Sequence, residues 1–116
     1  MLLRKRLQPA ESREEVTFVV SCAETPCAVG KYLVGRSTAD TPSLMAVFDD
    51  SAGFHRDIAL RYGLRPIGGG WCELNHAKKQ VRLSSRSTQF GREPNRELVV
   101  ALFEDAFPGY FCWGED

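Results

Sequence analysis

The run EVTFVVSC, residues 15–22, constrains this chain more than any other stretch. Its β-branched and aromatic side chains suit a pleated, buried backbone and lose rotamer freedom in a helix. It predicts a central strand, and a strand must be paired. KYLVGRS (31–37) and LMAVFD (44–49) read as the second and third strands, with the turn-forming TADTPS (38–43) between them. GLRPIGGGWCEL and VRLSSRS add two more around the polar turn HAKKQ, and PGYFCW (108–113) closes the chain as a strand.

Two segments follow the helical period instead. Phe54, Ile58 and Tyr62 recur four apart, Asp50 or Ser51 offers a capping oxygen, and Gly63 provides a stop, which predicts a short helix over about 51–62. Pro94 and Asn95 open a longer one over 95–107, where Leu98 and Leu102 line up beside Val99, Phe103 and Phe107. The order is β-β-β-α-β-β-α-β. The fold class is α/β (α+β), a mixed sheet of about six strands flanked by two helices. A chain of 116 residues buries enough surface for one domain, here 14–116. Residues 1–13 read as a flexible N-terminal arm or a fraying first strand.

Fifteen basic and fifteen acidic side chains give a formal net charge of zero. No long-range field draws the chain to nucleic acid or to an anionic membrane, and no basic face rich in aromatics is evident. No apolar run approaches the roughly 18 residues of a membrane span, and MLLRKRLQPAESREE lacks the apolar core of an export signal. The expected location is cytoplasmic. Cys22, Cys27, Cys72 and Cys112 are then reduced thiols. With His76 they offer donors for zinc, but neither Cys22/Cys27 nor Cys72/His76 has the tight C-x-x-C spacing, and buried small hydrophobes are the simpler reading. No metal and no cofactor are expected.

Three features carry possible chemistry. His55 falls at the start of the first helix, where free N–H groups attract anions and the positive end of the dipole keeps an imidazole neutral. A neutral ring there can take a proton near pH 7. A lone histidine on a helix is more often a solvated or capping residue. The triple glycine 68–70 lets backbone approach a ligand closely, with Gly70 the candidate contact, or else marks a bulge at a strand entry. It is neither a dinucleotide fingerprint nor a Walker loop. SSRSTQFG, 84–91, offers hydroxyls, the Arg86 guanidinium and the Gln89 amide. A strand running into such a loop can present Ser87 Oγ and successive N–H groups to an oxyanion, with Arg86 adding a bidentate contact. The plain alternative is a polar strand end with ordinary turn residues. A C-x5-R loop, a D-x-D pair and a two-metal carboxylate cluster are all missing.

Taken in order, these stretches resemble the Janus/Ocnus family of phosphohistidine phosphatases. FHRDI (54–58) resembles its aromatic-His-x-Asp-Ile stretch, and the glycines 68–70 its triple glycine. Lys78 and Lys79 precede the strand VRLSSRS, Ser87 lies in a loop ending Phe90-Gly91, and a helix leads to Pro108, Tyr110 and Trp113. The resemblance covers about residues 54–113 and is weak before residue 50. It implies a phosphohistidine phosphatase-like fold and metal-independent hydrolysis of phosphohistidine or a related phosphoramidate. His55 is then the catalytic base, and Ser87 with the backbone N–H of Gln89 holds the phosphoryl oxygens. The partner is then a phosphorylated protein or a small phosphoramidate.

Arg86 stands where the family has an aromatic, and the helix after His55 is shorter. The family's basic residues ahead of the histidine have no aligned counterpart, which leaves Lys31 and Arg36 as candidates. The alternative function is a non-catalytic module on the same fold. It binds an anionic or phosphorylated partner through Arg86 and Ser87, with Trp71 and Trp113 as interface aromatics.

Overall fold

The computed structural model describes residues 2–7 and 15–115. Its elements are β1 (Leu2–Leu7), β2 (Val16–Ser21), β3 (Cys27–Ser37), β4 (Leu44–Asp49), α1 (His55–Tyr62), β5 (Leu64–Asn75), β6 (Gln80–Ser84), α2 (Arg96–Ala106) and β7 (Phe111–Gly114). The strands form one mixed sheet in the order β1-β2-β4-β3-β5-β6-β7. β2 runs parallel to β4 and β6 parallel to β7, while the other neighbours are antiparallel.

Alternation along the strands separates two cores, because successive side chains leave a strand on opposite faces. Val16, Phe18 and Val20 of β2, Tyr32 and Val34 of β3, Ala46 and Phe48 of β4, and Cys72 and Leu74 of β5 face α2. Val99, Leu102, Phe103 and Ala106 of α2 close that core. The Phe103 ring meets Phe18 edge-on at 4.8 Å. Truncating so large a buried ring typically costs about 3–5 kcal/mol. The opposite face is smaller. Val19, Leu33 and Val47 meet Ile58 of α1. An eight-residue helix packs on this face, and a cleft opens beside its N-terminus.

Several expectations shift. The sheet has seven strands among the described residues rather than about six. The extra one is β1, which holds residues 2–7 against β2 in the strand alternative for the N-terminal stretch. Leu3 and Leu7 pack against the α2-side core while Arg4 and Arg6 stay exposed. Charge on an outer strand discourages further pairing. The remainder of the 1–13 arm lies outside the described residues, except for Leu2–Leu7. β2 is interior but lies next to the edge strand, not at the sheet's centre.

Helix α1 starts at His55, four residues later than expected, and neither Asp50 nor Ser51 caps it. The buried Asp49 carboxylate takes the Ser51 N–H at 3.0 Å, the Ser51 hydroxyl at 2.7 Å and Arg61 Nη1 at 2.6 Å. Asp50 instead accepts the Ala23 N–H at 2.9 Å. These bonds hold 50–54 as a turn, and Asp57 accepts the Phe54 N–H where the helix begins. Phe54 is exposed and leaves the apolar face to Ile58 and Tyr62. Gly63 ends the helix in the left-handed conformation, φ 63°, as expected. Asn95 caps α2 by accepting the Leu98 N–H at 3.1 Å. Among the described residues no helix is long and apolar enough to cross a membrane.

Candidate functional site

His55 is the first residue of α1, and its ring turns back onto the sheet, 8% exposed. Its Nε2 lies 3.0 Å from the Gly70 carbonyl oxygen. A carbonyl only accepts, so Nε2 carries the proton and Nδ1 carries the lone pair. Gly69 makes this placement possible. A Cβ there would stand 2.2 Å from the Tyr32 carbonyl oxygen and 3.1 Å from His55 Cδ2. The glycine run is therefore the side-chain-free floor under an imidazole. Its three residues are extended and buried, and the bulge lies just before them, where β3 shifts register between Val34 and Gly35.

The 84–91 loop completes the site. After Ser84 the chain leaves β6, passes Ser85 at φ 60° and lies alongside Gly69. The Ser87 N–H donates to the Gly69 carbonyl at 3.1 Å, and the Gly69 N–H donates to Gly91 at 3.0 Å. Gly91, φ 77°, turns the loop so that its own N–H reaches the Ser87 carbonyl at 2.9 Å. Ser87 Oγ accepts the Phe90 N–H at 3.1 Å, which leaves its hydroxyl proton to give elsewhere. Between these staples the tip is exposed, and the Thr88 and Gln89 N–H groups have no acceptor among the described residues.

A cleft of about 190 Å³ lies between helix start and loop, lined by Lys31, Phe54, His55, Gly70, Trp71 and residues 85–89. Drug-sized ligands occupy about 300–1,000 Å³, so this space suits a small group. Its charge is one-sided. Lys31 and Arg86 line it, no carboxylate does, and neither cation has an ion-pair partner among the described residues. Lys31 Nζ lies 5.2 Å from the centre of the Trp71 ring, which holds the ammonium at the cleft wall. Burial, and then the Lys31 charge, hold the His55 pKa below its ordinary value, while the bond to Gly70 works the other way. The imidazole, held neutral, lines a cleft whose charged side chains are both cations.

Every site residue expected from the sequence reaches this cleft: His55, Gly70, Arg86, Ser87 and Gln89. Gly70 serves the imidazole through its carbonyl. Of the two candidate basic residues, Lys31 is here, and Arg36 lines a different cleft with Thr38 and Arg65. Trp71 is half-buried as a cleft wall, and Trp113 lies elsewhere. Phe54 and Thr88 were not expected in the site. Their sequence signal is membership of the same stretches, Phe54 as the aromatic of FHRDI and Thr88 as a hydroxyl of SSRSTQFG. Among the described residues no three His, Cys, Asp or Glu side chains converge as metal ligands. Cys72 is fully buried, whereas His76 Nδ1 lies 2.8 Å from the Tyr110 hydroxyl. Comparison of the chain with known family models and with curated proteins returned no match.

Proposed function

We propose that the cleft binds a phosphoryl group and that the protein hydrolyses phosphohistidine or a related phosphoramidate, on a phosphorylated protein or a small molecule. One observation carries the reading: a neutral imidazole whose Nδ1 has no partner among the described residues shares a small cleft with two cations that have no ion-pair partner among those residues, and with a loop of spare donors. In this reading Arg86 and Lys31 attract the dianion, and the Ser87 hydroxyl with the Thr88 and Gln89 N–H groups hold its oxygens. These donors are fixed before the ligand arrives, so they stabilise charge as it develops without reorganising.

Nδ1 of His55 accepts a proton from the attacking water as the new P–O bond forms. The P–N bond breaks, its electron pair stays on the leaving nitrogen, and that nitrogen takes up a proton. The same imidazole can return the proton it received, which resets the ring. General base action of this kind contributes about 10²–10⁴-fold. Charge stabilisation comes from the chain's own groups, so turnover is expected to persist in chelator.

The test is hydrolysis of imidazole phosphate and of a phosphohistidine peptide by purified protein in EDTA, wild type against His55→Ala. Phosphate release by the wild type alone is the expected result. Saturable phosphate binding with no turnover would leave the non-catalytic binding module. Wild-type release equal to that of the variant defeats the enzymatic reading.

A further inference from the structure

Behind the glycine strand, on the face opposite His55, sits a buried ion pair that the proposed chemistry does not use. Glu93 and Arg96 are each 3% exposed. Glu93 Oε1 lies 3.0 Å from Arg96 Nε and 2.9 Å from Nη2. Arg96 spends its remaining donors on backbone: Nη2 reaches the Ser85 carbonyl at 2.6 Å and Nη1 the Glu115 carbonyl at 2.5 Å. Its guanidinium lies over the Tyr32 ring, 5.6 Å from the centre. It also lies against Gly70, where an added Cβ would come within 2.7 Å of Nη2. The Tyr32 hydroxyl approaches Glu93 without closing a hydrogen bond. Burial, and then the Glu93 carboxylate, push that hydroxyl well up, so it stays neutral.

Burying a charged pair is costly and rarely adds net stability over apolar packing. A pair kept here has another use to serve, and its contacts indicate which. Ser85 occupies the left-handed region, φ 60°, which is uncommon for a residue with a Cβ. The Arg96 bond to the Ser85 carbonyl holds the loop at that turn. Two residues later, Ser87 docks on Gly69. We infer that the Glu93–Arg96 pair is the positioning device of the cleft: Arg96 touches no ligand, but fixes the 85–91 loop at Ser85 against the glycine strand that orients His55. The inference rests on the reading of the cleft as a phosphoryl site. Lysine cannot replace the arginine, because one ammonium cannot span Glu93, Ser85 and Glu115 in the planar fork they require.

The experiment is amide hydrogen exchange and titration with inorganic phosphate, both followed by NMR. It compares wild type, Arg96→Met, Arg96→Lys and the double variant Glu93→Gln/Arg96→Met, which leaves no lone buried charge. In the double variant the amides of β2 and β4 are expected to stay protected, while the Ser87 amide loses about tenfold or more of its protection. Phosphate affinity falls about tenfold or more, since small misplacements of binding groups are expensive. Arg96→Lys restores neither. A Ser87 amide as protected as in wild type overturns the inference, as does full rescue by lysine. Loss of β2 and β4 protection in every variant also overturns it, by making the pair a determinant of the whole fold. If wild type binds no phosphate, the reading of the cleft fails, and the Ser87 amide still decides whether Arg96 positions the loop.

Discussion

Two clefts of similar size open on one face of the sheet. The first, about 190 Å³, holds His55, Lys31, Trp71 and Arg86. The second, about 220 Å³, lies further along β5 and is lined by Cys27, Glu73, Asn75, Lys78, Gln80, Arg82 and Trp113. Trp71, Glu73 and Asn75 alternate with buried residues, so the same strand face floors both. Their charges differ in one respect: the second cleft sets the Glu73 carboxylate beside its cations Arg82 and Lys78, whereas no carboxylate lines the first. Arg82 lies between Glu73 at 3.2 Å and Glu115 at 3.0 Å, and Trp113 Nε1 donates to Glu115 at 3.1 Å. The cations of the first cleft have no such partners among the described residues. A chain with zero net charge can therefore carry a local anion site, because attraction depends on which charges are compensated nearby, within a Debye length.

The sharpest way to break this contrast is to remove the base. His55→Ala is expected to lower phosphoramidate turnover by about 10²–10⁴-fold, about 3–5 kcal/mol of barrier. Phosphate binding should change far less, since Nδ1 acts on water. Steady-state kinetics beside a phosphate titration reads both. A variant that keeps its turnover would make the first cleft a binding site only. Gly69→Ala attacks the floor instead. The added methyl meets a backbone oxygen that cannot swing away, so a stability loss of about 3 kcal/mol is expected in urea unfolding. The floor of the second cleft carries Glu73 and Asn75 and has no such constraint.

How much of this the sequence discloses depends on the range of the forces involved. Period-two runs such as Val16–Ser21 and Leu44–Asp49 are local, and those strands appear within a residue of where they were expected. The meeting of His55 with Ser87 came from the order of motifs, because nothing local ties a helix start to a loop 32 positions later. Lys31 and Arg36 could not be told apart by composition. Lys31 sits near the middle of β3 and Arg36 next to its end, with the register shift at Val34/Gly35 between them, and only the lysine reaches the helix start. Helix α1 starts later than its sequence predicts because Asp49, not Asp50, organises the turn, and its charged partner Arg61 is 12 residues away. Arg96 leaves a trace in the sequence. It precedes Val99 and Phe103 on the buried stripe of α2, and an arginine in that position needs a buried partner.

The cations and the imidazole sharpen the contrast at smaller cost. Arg86→Ala and Lys31→Ala should each weaken inorganic phosphate binding about tenfold, the value of one charge-assisted contact of about 1.5 kcal/mol. Both effects should shrink as salt is raised. Acidity offers a second reading. The His55 pKa lies below its ordinary value, about 6.5. Turnover should therefore hold steady through neutral pH and fall only as pH drops below that value, when Nδ1 becomes protonated. The same shift bears on stability. The unfolded chain binds this proton more readily than the folded one, so the His55 contribution is complete above about pH 6.5 and is lost as pH falls through the folded pKa. An acid limb above 6.5 would mean that the ring is held charged, and the cleft would then lack its base.

The smallest expected effect is the most discriminating. Arg82→Ala removes a cation from the same sheet face, two strands away from Lys31 with β5 between them. Its carboxylate partners, Glu73 and Glu115, remain about 40–45% exposed and can be solvated once it is gone. Exposed ion pairs add little to stability, so phosphate binding should change by less than about twofold and the unfolding midpoint only slightly. If nearby positive charge alone made the first cleft, Arg82→Ala would weaken phosphate as Arg86→Ala does. Equal losses in the two variants would show that whole-face charge governs the binding, and that the pairing of Arg82 does not matter. A loss confined to Arg86→Ala locates the attraction in the uncompensated pair beside His55.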